Sequence, residues 1–211
     1  MRPLPVGAHG LLLELDTDGE VGALHAELLR RAAAGELPPV TEIVPAARTV
    51  FLDGLDDPRG FAAALATWDI PPLTGADRPR VEIPVVYDGP DLADVAALWG
   101  TTPDEVVRRH TATVFHVAFC GFSPGFGYLT GLPEEWHVPR RATPRTRVPV
   151  GAVALAGPYT GVYPRSSPGG WQLIGRTDAA LWDPAREDAA LLTPGTQVRF
   201  VPLARDPEAA R

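Results

Sequence analysis

The chain has 211 residues, 45% of them hydrophobic and 21% charged, with a net charge of -7. That is the composition of a folded protein with one large domain or two modest ones. All 19 basic residues are Arg, and the lack of Lys excludes a Schiff base, a Walker A phosphate site and a Ser-Lys dyad. The single cysteine, Cys120, excludes an internal disulfide and any multi-Cys zinc or iron–sulfur site, and the histidine spacing gives no metal site. No apolar run reaches bilayer length, and Met1-Arg2-Pro3-Leu4-Pro5 lacks the apolar stretch of a secretory signal. The expectation is a cytoplasmic protein that binds neither membrane nor, given its acidic balance, nucleic acid.

In chain order, Leu11 to Leu15 reads as a strand, and Glu20 to Ala34 as a helix with Val21, Leu24, Leu28 and Ala32 on one stripe and Gly35 as its stop. Strands follow at Thr41 to Ala46 and Thr49 to Leu52, then a helix from Pro58 to Trp68 and a strand near Val81 to Val86. That β-α-β-β-α-β order predicts a small ferredoxin-like α/β domain over residues 1–82. Ile70 to Pro79, with its prolines and glycine, reads as a loop or linker.

Over residues 83–211 the pattern starts with two helices. One runs from Asp91, its cap, to Trp99; the other opens on the capping box Thr102-Pro103-Asp104-Glu105 and reaches about His110. Short strands then alternate with Gly and Pro: Val114 to Phe119, Val150 to Leu155, Gly161 to Tyr163, Trp171 to Ile174, Ala180 to Trp182 and Gln197 to Val201. Many short strands with frequent turn signals predict a closed or nearly closed β-barrel, and the fold class is α+β.

Gly121-Phe122-Ser123-Pro124-Gly125 matches the G-x-S-x-G pattern of a hydrolase elbow. Pro124 has no N–H to serve as an oxyanion donor, and no helical sequence follows, so Ser123 is not read as a nucleophile. Gly121, Phe122, Pro124, Gly125, Phe126 and Tyr128 read either as a loop that lines a pocket or receives a partner, or as turns and aromatics that close the barrel end.

The stretch from Pro139 to Pro149 carries Arg140, Arg141, Arg145 and Arg147. Held extended by prolines, it can present a guanidinium fork to a carboxylate or phosphate, with Arg145 the first choice and a solvated strand face the alternative. Thr160, Gly169, Gly170 and Gln172 offer neutral groups and close backbone approach suited to an amide-like ligand; two hairpin turns are the competing reading. His110, just before the barrel, is the one candidate general acid or base, and His116 reads as a core histidine.

Several ordered motifs carry a resemblance. They are His110-Thr111, Phe119 to Leu129, Pro139 to Arg145, Val148 to Val153, Thr160 to Pro164 and Pro168 to Thr177. Together they resemble the allophanate hydrolase subunit 1 family, over residues 83 to 203. That family includes B subunits of 5-oxoprolinases, the Kip inhibitor of a sporulation histidine kinase, and a module of urea carboxylase.

The resemblance implies an N-terminal α/β domain joined to a cyclophilin-like barrel, without implying prolyl isomerase activity. It also implies a place in an ATP-dependent cyclic-amide hydrolase that opens 5-oxo-L-proline to L-glutamate, with phosphorylation activating the lactam. The implied partners are a homologous C subunit, of the allophanate hydrolase subunit 2 type, and an A subunit. ATP, with a divalent cation, would serve the complex, while no cofactor is expected on this chain alone. The alternatives are a Kip-type regulator anchored by Phe122, Phe126 and Tyr128, or a substrate module of a urea or allophanate pathway.

Overall fold

The computed structural model describes residues 1–73 and 79–203, and the chain divides into two units, residues 1–77 and 78–211. In the first, Thr17 caps helix α1 (Asp18–Ala33): its hydroxyl accepts from Glu20 N at 3.2 Å, and the Glu20 carboxylate accepts from Thr17 N at 2.9 Å. This reciprocal cap supplies acceptors for two donors that the helix leaves unpaired. The helix stripe lays Val21, Leu24 and Leu28 on Leu11, Leu13, Val50 and Leu52 of the sheet, while Phe61 and Leu65 of α2 (Pro58–Leu65) complete the core. Ala32, predicted to share the stripe, is exposed.

The sheet of this unit has the order β1-β2-β4-β3, with strands β1 (Arg2–Val6), β2 (Gly10–Glu14), β3 (Glu42–Pro45) and β4 (Thr49–Asp53), all neighbours antiparallel. β2 and β3 therefore run the same way on either side of β4, the split βαβ arrangement that the sequence order requires. The ferredoxin-like expectation fails at the fourth strand. The place beside β2 is taken by the N-terminal β1, a strand that the apolar pattern does not predict. Strand β5 (Arg80–Val85), expected to close this domain, belongs to the second unit.

There β5 pairs in parallel with β13 (Gln197–Pro202), from Gln197↔Arg80 to Pro202↔Val85. Among the described residues they are the end of a seven-stranded sheet ordered β12-β9-β10-β7-β6-β13-β5. The remaining strands are β6 (Phe115–Cys120), β7 (Gly127–Thr130), β9 (Ala152–Ala156), β10 (Tyr159–Val162) and β12 (Gln172–Arg176). The two outer strands meet where Val86 and Arg176 exchange backbone hydrogen bonds, each 2.9 Å, so the sheet nearly closes into a barrel. Closure removes most of the exposed edge.

A short ribbon of β8 (Arg145–Val148) and β11 (Ser167–Gly169) lies outside that sheet. β7, β8 and β11 are not predicted from the sequence, and Ala180 to Trp182 forms no strand, only an isolated bridge between Trp182 and Ala190.

Inside the barrel, Val117, Leu129, Val153, Leu155, Ile174 and Phe200 pack with Leu92, Val95 and Val106 of helices α3 (Leu92–Leu98) and α4 (Pro103–Ala112). Thr102 caps α4, accepting from Glu105 N, but the predicted box is half formed: the Glu105 carboxylate accepts from Arg108 and Arg109 instead of Thr102 N and is drawn down to about 2 by them. No helix of the described residues is long and apolar enough to cross a membrane.

Candidate functional site

The loop after β6 turns within five residues. Ser123 N donates to Gly121 O at 2.7 Å, Phe126 N to Ser123 O at 3.0 Å, and Gly121 N to Phe126 O at 3.2 Å. The first bond closes a γ-turn that holds Phe122 at φ 66°, a left-handed conformation that is costly for an aromatic residue. Gly125, at φ 81°, lies against Trp182 Cβ and Leu181 O, where a side chain would collide. Strand β7 follows, not a helix, in accord with the reading that Ser123 does not sit on a hydrolase elbow; its Oγ is buried with no protein partner among the described residues.

Phe126 is buried and packs edge-on against Tyr128, Tyr163 and Trp171. Tyr128 stacks on Phe119 at 4.3 Å between ring centroids. Of the three aromatics offered as partner anchors, Phe122 alone is well exposed, at 56%; Phe126 and Tyr128 hold the barrel wall together.

His110 needs correction. Its ring is fully buried between Phe115 and Phe200, with centroids 4.9 and 4.6 Å away. The Tyr87 hydroxyl lies 2.7 Å from Nδ1, and Thr160 Oγ1 lies 3.4 Å from Nε2. Burial pulls the imidazole down to about 3, so it is neutral. It does not sit at a barrel mouth, and the C-terminal end of α4 does not hold it as a cation. The same contact removes Thr160 from the candidate set, because this threonine is fully buried against His110. His116, read as a core residue, is half-buried on β6.

The arginine stretch comes together on Asp91, a residue whose place in the sequence is that of a helix cap. Asp91 does precede α3, but its side chain makes no cap hydrogen bond. Its Oδ1 accepts from Arg141 Nη1 at 2.6 Å and Arg145 Nη2 at 2.7 Å, and its Oδ2 accepts from Leu173 N at 2.7 Å. Burial alone would raise this carboxyl, but the hydrogen bonds from Arg145 and Leu173 and both guanidinium charges outweigh it and hold the carboxyl below its ordinary value. The signal available in the sequence is a charge count: four arginines in eight residues need a carboxylate from elsewhere in the fold. Arg147 turns away to Ser166 on the exposed side.

The Gly-Gly pair lies beside this cluster. Gly169 stands opposite Arg145 in the β8–β11 ribbon and packs on the Tyr163 hydroxyl, while Gly170 O accepts from Arg141 N at 2.7 Å. Burial pushes the Tyr163 phenol up, against the opposing pull of Arg140 and Arg145. Gln172, nearly buried, donates from Nε2 to Pro139 O at 3.1 Å and so ties the arginine stretch to β12. Arg141, Arg145, Gly169, Gly170 and Gln172 are thus one neighbourhood with Asp91 and Tyr163. Among the described residues no cluster of three or more His, Cys, Asp or Glu is arranged to hold a metal ion.

Residues 1–192 match the family model for the carboxyltransferase domain, subdomain C and D. The chain belongs to that family. The B subunit of 5-oxoprolinase from Escherichia coli O157:H7 is 45% identical over 175 residues, 79% of this chain and 80% of that protein. Among solved structures, TTHA0988 superimposes with a TM-score of 0.75 at 37% identity, covering 93% of this chain; this chain spans only 40% of that one. The conserved uncharacterized protein PH0987 from Pyrococcus horikoshii superimposes with a TM-score of 0.58 at 31% identity over 99% of both chains. Chains similar in structure to this one are therefore found both as proteins of this length and as part of a longer one.

Proposed function

We propose that this chain is the B subunit of a 5-oxoprolinase, which opens the lactam of 5-oxo-L-proline to give L-glutamate. The observation that carries the reading is the 45% identity shared with the B subunit of a 5-oxoprolinase over four-fifths of both chains. The barrel is read as cyclophilin-like in fold alone. The chemistry of the Asp91 neighbourhood suits the substrate: 5-oxo-L-proline carries a carboxylate, which a guanidinium such as Arg145 binds, and a flat cyclic amide, which packs beside glycines and a tyrosine.

In the reaction the ring C–N bond breaks, water supplies the new carboxylate oxygen, and the ring nitrogen leaves as the amine. This chain has no Lys and therefore no Walker A phosphate site. The nucleotide and its divalent cation are accordingly assigned to a partner. An A subunit and the homologous C subunit complete the enzyme in this reading.

Co-expression with candidate A and C subunits tests it. Glutamate should be released from 5-oxo-L-proline by the three together and only with ATP. The C subunit should elute with this chain in size-exclusion chromatography at micromolar concentration. Absence of turnover from every reconstituted combination, with inhibition of a histidine kinase's autophosphorylation instead, would replace this reading by the Kip-type one.

A further inference from the structure

One oxygen of Asp91 holds two guanidinium groups, so Arg141 and Arg145 stand side by side. One carboxylate against two guanidiniums leaves the trio with a net positive charge. The second oxygen is committed to Leu173 N, which locks the carboxylate to β12 and prevents it from turning to serve both arginines fully. The pair is left with unmatched donors. Arg141 Nε and Arg145 Nη1 are buried and have no hydrogen-bond partner among the described residues. The outward parts of the two side chains remain open, 32% and 22% exposed.

Surplus positive charge at a partly covered site is offset by an anion, and the exposed faces of two adjacent guanidiniums match the two oxygens of a carboxylate. Two glycines adjoin the pair: Gly169 faces Arg145 across the ribbon with the Tyr163 hydroxyl packed on it, and Gly170 O accepts from Arg141 N.

We propose that Arg141 and Arg145 form a two-guanidinium fork for one small carboxylate, with Asp91 as the positioning residue that fixes their spacing. The ligand class, a planar monocarboxylate, follows from the fork; its identity as 5-oxo-L-proline rests on the proposed function. Thr160 and His110 lie in the core and take no part. The fork discriminates acid from neutral lactam.

The test is a titration of the full-length chain, labelled with nitrogen-15, using acetate, 5-oxo-L-proline and neutral 2-pyrrolidone while the arginine Nε–H resonances are followed. Acetate and 5-oxo-L-proline should shift Arg141 and Arg145 saturably, and 2-pyrrolidone should not. Arg141→Gln and Arg145→Gln should each weaken carboxylate binding about tenfold or more. Arg145→Lys, which keeps the charge and loses the planar geometry, should fall between them and wild type.

Asp91→Asn keeps the acceptor for Leu173 N. In the reconstituted enzyme it should raise KM for 5-oxo-L-proline about tenfold with kcat within about twofold of wild type. A purely structural role would instead reduce the folded fraction, lowering kcat and leaving KM unchanged. Unmoved arginine signals with acetate, or wild-type affinity in both glutamine variants, would overturn the fork even if the complex releases glutamate. Acetate bound at the fork with no glutamate from any complex would overturn the function and leave the fork standing.

Discussion

Replacing Asp91 by Ala gives the sharpest stability prediction. The substitution removes three hydrogen bonds of 2.6 to 2.7 Å from a residue that is 1% exposed. Leu173 N–H, on a buried strand, is left without its acceptor, at a cost of about 1–3 kcal/mol. The bonds to Arg141 and Arg145 are charge-assisted, but both guanidiniums are partly exposed and regain water when released, so each is placed at the lower end, about 1 kcal/mol. Together these give about 3–5 kcal/mol.

For a chain of this size each kcal/mol moves the melting temperature by about 2–4 °C, so Asp91→Ala should melt roughly 10 °C below wild type. The assay is differential scanning calorimetry at neutral pH, repeated in acid. The folded carboxyl is held below its unfolded value, so its contribution is present above the unfolded pKa and is lost as pH falls through the folded one. The gap between wild type and variant should hold near pH 7 and shrink below about pH 4. A melting point within about 3 °C of wild type at neutral pH, or a gap that does not change in acid, would refute the view that this carboxylate binds the barrel to the arginine stretch.

Two other outcomes are expected. His110, neutral in the fold and drawn down to about 3, takes up a proton on unfolding near its ordinary value, so its contribution is present above about pH 6.5 and is lost as pH falls toward 3. In urea titrations across that window His110→Gln should be less stable than wild type at pH 7 and show a flatter pH dependence; His25, also depressed by burial, retains part of the slope. Gly151 sits at φ 78° with the Thr177 carbonyl where a side chain would go, so Gly151→Ala should destabilise by more than about 2 kcal/mol, read as a lower urea midpoint.

Much of the fold is legible because it is written in local chemistry. The cap at Thr102 and the apolar stripe of α1 depend on residues three or four positions apart, and each helix forms close to where those residues place it. The strands around Leu11, Thr49, Phe115 and Gln197 are equally legible, as runs of apolar and β-branched residues. β1 escapes because its two prolines mark an edge strand as readily as a loop, and β7 because Gly127 and Tyr128 continue a run of glycines and aromatics that reads as a loop.

Which sheet takes β5 lies beyond sequence patterns: pairing Arg80–Val85 with Gln197–Pro202 is a choice among partners more than a hundred residues apart. The candidate site divides in the same way. Composition and proline spacing put Arg141 and Arg145 forward, but periodicity does not say which histidine faces solvent, and His110 and Thr160 prove to be buried together. Asp91 joins the arginines because the fold brings the start of α3 to β12, and a carboxylate with three donors around it is stable there. Local chemistry settles which residues carry charge and where helices begin; the folded chain decides which charges meet, because electrostatic pairing depends on distance through space and not along the chain.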